Sequence, residues 1–369
     1  MCYNPPVFAK LYVEITDVCN LRCSFCPPTG RPRRFMSRAE FAHILKKLEG
    51  KGRLLYLHVK GEPLLHPKLG ELLSIAGDLG FGVALTTNGS LLEKQASTLL
   101  GATALRKLSI SLHSHAGAGA GAGGVGTDAA GTDAGAGAGA GDVDAAAAGD
   151  NPGVAAYWSG VASFLDLHRQ APPFPVSLRL WNLRGGVLPP ETAYLVEKLR
   201  ERYPNLGPRD GGGGGVGGGG AGASLDGGGG GGGAGGGGAS ASLGGGGSAL
   251  AWPKALRLDT QVFLNAAEEF TWPDPALPEG SSKGSCLGLR KQIAVLVDGT
   301  LVPCCLDGEG RIPLGNLFEQ DLDEILAGER ARAMRQGFER NALVESLCRT
   351  CGYRSLYREA YNKRRESQD

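Results

Sequence analysis

No run of apolar residues in this 369-residue chain is long enough to span a bilayer. Net charge is nearly absent too: 38 Lys and Arg stand against 37 Asp and Glu, a formal charge of +1. That balance gives no electrostatic footing for nucleic acid or for an anionic membrane surface. A basic–aromatic patch is also missing, which argues against nucleic-acid modification. Met1–Lys10 has neither a basic n-region nor an apolar h-region, and no transit-peptide pattern is visible. The expected location is therefore the cytoplasm. Without export, the nine cysteines, which group on loops, read as metal ligands rather than disulfides.

Glycine is the excess, at 62 residues, of which 12 lie in 116–149 and 25 in 211–247. Both tracts are Gly/Ala low complexity. They carry no P-loop or dinucleotide fingerprint and cannot bury a core. They read as insertions into a fold built by the rest of the chain.

That fold is legible as alternation. Leu11–Thr16, Arg53–Val59, Gly82–Thr87, Arg106–Leu112, Pro175–Trp181 and Gln261–Leu264 have strand character. Between them lie helical stripes. Ser37-Arg38-Ala39-Glu40 is a capping box, and Phe41, Ile44, Leu45 and Leu48 follow at helical spacing. Further helices are expected from His66, over Ser90–Leu100, from Val154 and over Thr192–Tyr203. Strands alternating with helices predict parallel βα units. The expected class is α/β, a partial (β/α)6 TIM-like barrel over residues 1–265. A small C-terminal cysteine-rich α+β domain is expected over 266–369, with a hairpin at Ile293–Val302 and helices at Leu317–Gly328 and Arg330–Glu339.

The first strand runs into Cys19-Asn20-Leu21-Arg22-Cys23-Ser24-Phe25-Cys26, held in loop conformation by Pro27, Pro28 and Gly30. The C-terminal ends of barrel strands are where such folds place their chemistry. Three thiolates on one loop can hold three corners of a cubane iron–sulfur cluster and leave the fourth iron open to a ligand. A structural zinc site is the alternative, but zinc takes four ligands, commonly as two CxxC pairs.

The pattern resembles the CxxxCx(aromatic)C signature of the radical S-adenosylmethionine (SAM) enzymes, with Cys19, Cys23, Phe25 and Cys26 in the matching places. The resemblance implies a [4Fe–4S] cluster on Cys19, Cys23 and Cys26, and SAM chelated by the open iron. It also implies an external one-electron reductant of flavodoxin or ferredoxin type. Reductive cleavage of SAM would then give methionine and a 5′-deoxyadenosyl radical that takes hydrogen from a substrate, either a peptide or protein or a small molecule.

The resemblance further implies cofactor contacts at the strand ends. Phe25 would pack near adenine. Gly61-Glu62-Pro63 resembles the family's GGEP motif, with Lys60 in place of the first glycine, and Glu62 would meet the SAM ammonium. Asn88 and Ser111 end the third and fourth strands, Ser111 as a ribose-hydroxyl partner, and for both a turn or cap role competes. Arg179, an arginine among apolar strand residues, needs a partner: either the SAM carboxylate or a barrel carboxylate such as Glu14. No histidine is assigned to catalysis.

After residue 285 come Cys286, Cys304, Cys305, Cys348 and Cys351. The spacing Cys286, Gly299, Cys304 and a later CxxC resembles the SPASM or shorter twitch domain of auxiliary iron–sulfur clusters. It implies one auxiliary cluster on Cys286, Cys304, Cys348 and Cys351, with Cys305 spare or an alternative ligand. Four thiolates would equally satisfy zinc. A non-catalytic iron–sulfur or zinc scaffold is the competing function.

Overall fold

The computed structural model describes residues 7–114, 152–206 and 255–354. Both glycine tracts and Cys2 lie outside the described residues. One sheet of ten strands organises the remainder, in the order β10-β9-β8-β1-β2-β3-β4-β5-β7-β6. Its centre consists of β1 (Lys10–Val13), β2 (Leu54–Tyr56), β3 (Gly82–Thr87), β4 (Leu105–Ser111), β5 (Val176–Leu183) and β7 (Val262–Glu268), each parallel to the next. Helices α1 (Arg38–Leu48), α2 (Leu69–Asp78) and α3 (Leu92–Leu100) connect the first four strands. Helix α4 (Pro152–Gln170) leads into β5, and α5 (Ala193–Arg202) follows it. The six parallel strands are those expected, joined by five helices among the described residues, and the sheet is open rather than closed, with β6 (Leu256–Asp259) and β10 (Gly315–Asn316) at its edges.

The helices exist because their apolar stripes have a sheet face to cover. Helix α1 starts at the Ser37 cap, whose hydroxyl accepts from Glu40 N while Glu40 reaches back to Ser37 N. Its Phe41, Ile44, Leu45 and Leu48 are buried in one continuous core with Leu11, Val13, Leu55, Val83 and Leu85. Burying each such side chain contributes about 1.5–3 kcal/mol. Alternate strand residues face the other way. There Tyr12 stacks on Tyr56 at 4.9 Å, beside Ala84 and Ala294. Register aligns Ser111 with Arg179, and Arg179 with Asn265, across that inner face.

Three features depart from the sequence reading. The sixth parallel strand is longer than expected and is preceded by β6, an antiparallel partner that low-complexity sequence upstream obscured. The second strand is shorter: the ladder ends at Tyr56, because the chain must turn into Gly61 and Pro63. The helix expected over Leu317–Gly328 is confined to α6 (Leu322–Ala327). Asn316 takes Phe318 N on its side chain and Glu319 N and Gln320 N on its carbonyl, so a tight turn precedes the Asp321 cap. Helix α7 (Glu329–Glu339) follows, then α8 (Ser346–Thr350).

The C-terminal hairpin, β8 (Gln292–Val295) and β9 (Thr300–Val302), does not stand apart. Strand β8 pairs in parallel with β1 over Lys10–Val13, extending the barrel sheet beyond its first strand. Parallel pairing between strands so distant in sequence leaves no local sequence signal.

Candidate active site and cysteine-rich site

The cysteine loop leaves β1 through a pinned base. Glu14 is fully buried and accepts four bonds: from Arg31 Nη1 and Nη2 at 2.8 Å each, Lys60 N at 2.9 Å and Val297 N at 3.0 Å. One carboxylate thus ties together the ends of β1, β2 and β8 and the far side of the cysteine loop. Burial pushes this carboxyl up, against the pull of Arg31 and the two amides. Glu14 is therefore the partner of Arg31, and the Glu14–Arg179 pair weighed from sequence does not form. Thr16 bridges Phe35, and Asp17 Oδ1 accepts from Arg34 N at 2.8 Å, closing the loop at its base.

Gly61 explains the close seating of the next strand end. Its φ is +72°, and a Cβ there would lie 2.4 Å from the Thr16 carbonyl oxygen. Only glycine accepts both conditions. Lys60, by contrast, is not among the positive-φ residues of the described chain, so a side chain is tolerated at that position.

Glu62 is 1% exposed. Oε1 accepts from Leu64 N at 2.9 Å and Thr87 Oγ1 at 2.7 Å, and Oε2 from Asn88 N at 2.6 Å. Three of roughly four carboxylate acceptor sites are thus taken internally, and the remaining one is on Oε2. Burial raises this carboxyl from 4.5 to about 7. The folded chain thus holds more protons than the unfolded chain between those values, and this contribution to stability shrinks as pH rises through the window. Glu62→Gln removes it and turns an amide donor toward Leu64 N and Thr87 or toward Asn88 N, at a cost of about 1–3 kcal/mol. The parent's advantage in melting temperature over Glu62→Gln is expected to narrow between pH 5 and pH 7 and then level off. An advantage that is constant or growing over that range would show that the carboxyl titrates normally.

Asn88 links this anchor to the thiols. Its Nδ2 lies 3.9 Å from Cys19 Sγ and donates to Asn20 Oδ1 at 3.0 Å, while its carbonyl accepts from the buried Tyr157 hydroxyl at 3.0 Å. Cys19, Cys23 and Cys26 are close enough to act on one another electrostatically, and burial pushes all three thiols up, Cys23 to about 11. Ser114 donates toward Cys23. Proton-bearing thiols release those protons when a metal takes them. Three thiols on one loop, backed by an amide and a hydroxyl, are a donor set that suits a three-ligand cluster.

Phe25 packs against His113, ring centroids 4.9 Å apart, and the His113 ring nitrogen Nδ1 meets the backbone of Arg179 and Trp181. The Arg179 guanidinium stacks on Trp181 at 4.4 Å and lies 3.5 Å from Thr86 Oγ1. Phe25, Ser111, Asn88, Arg179 and Glu62 therefore all belong to the same strand-end region. Beside Phe25 opens a cavity whose wall includes Leu183, Glu268, Phe270 and Trp272, from the ends of β5 and β7 and the segment after them.

The second cysteine group also gathers. Cys286, Cys304, Cys348 and Cys351 line one mostly apolar cavity with Ile312 and Leu347. Burial pushes their thiols up, and neighbouring thiols add to the shift at Cys304, Cys348 and Cys351. Gly288 N reaches Cys286 Sγ at 3.5 Å. Cys305 faces away: it hydrogen-bonds to Tyr12 and packs with the inner-face cluster, as the alternation of neighbours requires. Among the described residues no three His, Cys, Asp or Glu side chains converge tightly enough for a single metal ion. Nor does any helix there have the length and apolarity to cross a membrane.

Lys60, Arg31, Tyr157 and Ser114 support the site without having been singled out from sequence. Only Lys60 had a signal, as a charged residue where the resembling motif has glycine.

The radical SAM superfamily domain matches residues 13–116, and an iron–sulfur cluster-binding SPASM domain matches residues 286–352. The chain is similar to the GTP 3′,8-cyclase of Synechocystis sp., 34% identical over 108 residues that make up 28% of this chain and 33% of that protein. It is similar to the AdoMet-dependent heme synthase of Methanosarcina barkeri, 30% identical over 27% of this chain and 29% of that one. The matched stretch is about a third of the length of these curated relatives. Among solved structures, BtrN in complex with AdoMet and 2-DOIA aligns over 94% of both chains at 15% identity, with a TM-score of 0.48. The family's cofactors are SAM and a [4Fe–4S] cluster, with iron–sulfur at the C-terminal domain. With both signature domains in order along one chain, this protein carries a radical SAM superfamily domain and, C-terminal to it, an iron–sulfur cluster-binding SPASM domain.

Proposed function

We propose that this protein reductively cleaves SAM and uses the resulting radical to take hydrogen from a substrate held in the cavity beside Phe25. The observation that carries the reading is the loop of Cys19, Cys23 and Cys26, three thiols at a barrel strand end close enough to act on one another, a set that would leave the fourth corner of a cubane cluster without a protein ligand. When bound, the cluster supplies the electron that splits the carbon–sulfur bond of SAM.

The chain's own residues hold and enclose the reactants. Phe25 offers a ring for adenine, backed by His113. Glu62 offers its one remaining acceptor on Oε2 to the SAM ammonium and keeps Asn88 beside Cys19. Arg179, aligned with Ser111 across the inner face, suits the carboxylate, and Ser111 a ribose hydroxyl. The pinned loop base and the buried strand ends keep water from the reacting atoms. Cys286, Cys304, Cys348 and Cys351 are the four thiols that would hold an auxiliary cluster there. The iron–sulfur description of the matching domain supports that metal over zinc. A one-electron donor protein of flavodoxin or ferredoxin type supplies the reductant.

The test is anaerobic reconstitution with iron and sulfide, addition of SAM and a chemical reductant, and chromatographic measurement of 5′-deoxyadenosine. Iron loading without any 5′-deoxyadenosine, with or without candidate substrates, would favour the scaffold reading instead.

A further inference from the structure

We propose that Lys60 sets the reduction potential of the N-terminal cluster by holding a positive charge beside Cys26. The inference rests on the reading that Cys19, Cys23 and Cys26 bind a cluster.

Lys60 is 7% exposed, unusual for a lysine. Its backbone amide donates to Glu14 Oε1 at 2.9 Å, which holds the root of the side chain in place. It crosses the face of Gly308, where a Cβ would lie 2.8 Å from Lys60 Cε. The ammonium then donates to the Pro27 carbonyl and sits 5.3 Å from the centroid of Trp272. The same Pro27 carbonyl is 3.8 Å from Cys26 Sγ. One cation thus touches the cysteine loop, the segment after β7 and the turn after Cys304.

Reduction adds an electron to a cluster that already carries thiolate charge. A cation close by, and largely shielded from solvent, stabilises the reduced form more than the oxidised form and raises the potential. Glu14 does not cancel it, being matched by Arg31. The side chain is possible because the backbone at Lys60 is not left-handed, whereas at Gly61 it is.

The experiment is a redox titration of the reconstituted full chain followed by electron paramagnetic resonance, reading the signal that changes when SAM is added. Lys60→Gln keeps a donor for Pro27 and removes the charge; Lys60→Met keeps only the stem; Lys60→Arg keeps the charge. In Lys60→Gln and Lys60→Met the SAM-responsive signal is expected to be about tenfold less reduced at a fixed potential, a shift of about 59 mV for a one-electron couple. The SAM-unresponsive signal should hold its midpoint, and Lys60→Arg should stay near the parent. A Lys60→Gln protein with the parent's midpoint overturns the proposal. So does failure of both neutral variants to load the N-terminal cluster, because the lysine would then be structural. A parent that shows no SAM-responsive signal instead sinks the underlying functional reading.

Discussion

Changing Cys19, Cys23 and Cys26 together to Ala is expected to abolish 5′-deoxyadenosine formation while leaving about four irons per chain, the content of one cubane. The loop does not depend on its thiols for shape. Its base is closed by the Thr16–Phe35 bridge, by Asp17 against Arg34 N and by the buried Glu14–Arg31 pair. None of the three side chains belongs to the hydrophobic core, so their truncation opens no core cavity. Folding and the C-terminal cavity should therefore persist, and the loss should be confined to the open cluster. Iron analysis, product chromatography and electron paramagnetic resonance of the reduced protein read the three consequences separately, and adding SAM should leave the spectrum unchanged. A triple variant that still cleaves SAM would sink both the site assignment and the functional reading.

The parts of this architecture that sequence made legible are those written in short-range periodicity. Ser37 and Glu40 announce α1, and the strand character of Gly82–Thr87 gives β3 with its ends in place. The two cysteine groups proposed as cluster ligands were legible as groups because thiols at short spacing on a loop have few other uses, and the eight described cysteines form no disulfide. What stayed hidden is long-range. The parallel pairing of β8 with β1 joins residues some 280 apart, and neither strand carries a mark of its partner. Glu14 reads locally as one more strand residue, yet its four donors come from Arg31, Lys60 and Val297. Arg179 was correctly seen to need company, but Glu14 had already been claimed by Arg31. Glu62 shows the same limit: sequence gives a carboxylate at a strand end, whereas packing decides that three of its acceptor sites point inward.

Changing Cys348 and Cys351 to Ala should do the converse of the triple replacement. About four irons should be lost, the SAM-unresponsive signal should vanish, and the SAM-responsive one should remain. The two residues sit on and just after α8, in a segment tied to its surroundings by Arg349 to Glu279 at 2.9 Å, Asp274 N to Thr350 Oγ1 at 3.2 Å, Gly280 N to Arg349 O at 3.2 Å and Gly352 N to Thr271 O at 3.0 Å, among other contacts, with Leu347 buried. A metal there staples ends that have little core of their own. The barrel and hairpin are secured independently, through the β8–β1 ladder and the Val297 bond to Glu14. The variant should thus lose protection from proteolysis around residues 341–354 while the barrel keeps its melting transition. Trp272 and Phe270 lie between the two sites, and Phe270 packs on Tyr353 at 4.9 Å, so loosening α8 should also relax the wall of the cavity beside Phe25. Uncoupled SAM cleavage then persists, while hydrogen transfer to a substrate falls further than cleavage does. Zinc in place of iron at this site in the anaerobically reconstituted parent would refute the auxiliary cluster and leave the N-terminal assignment standing. Loss of the SAM-responsive signal in the double variant would show instead that the two sites are not separately held.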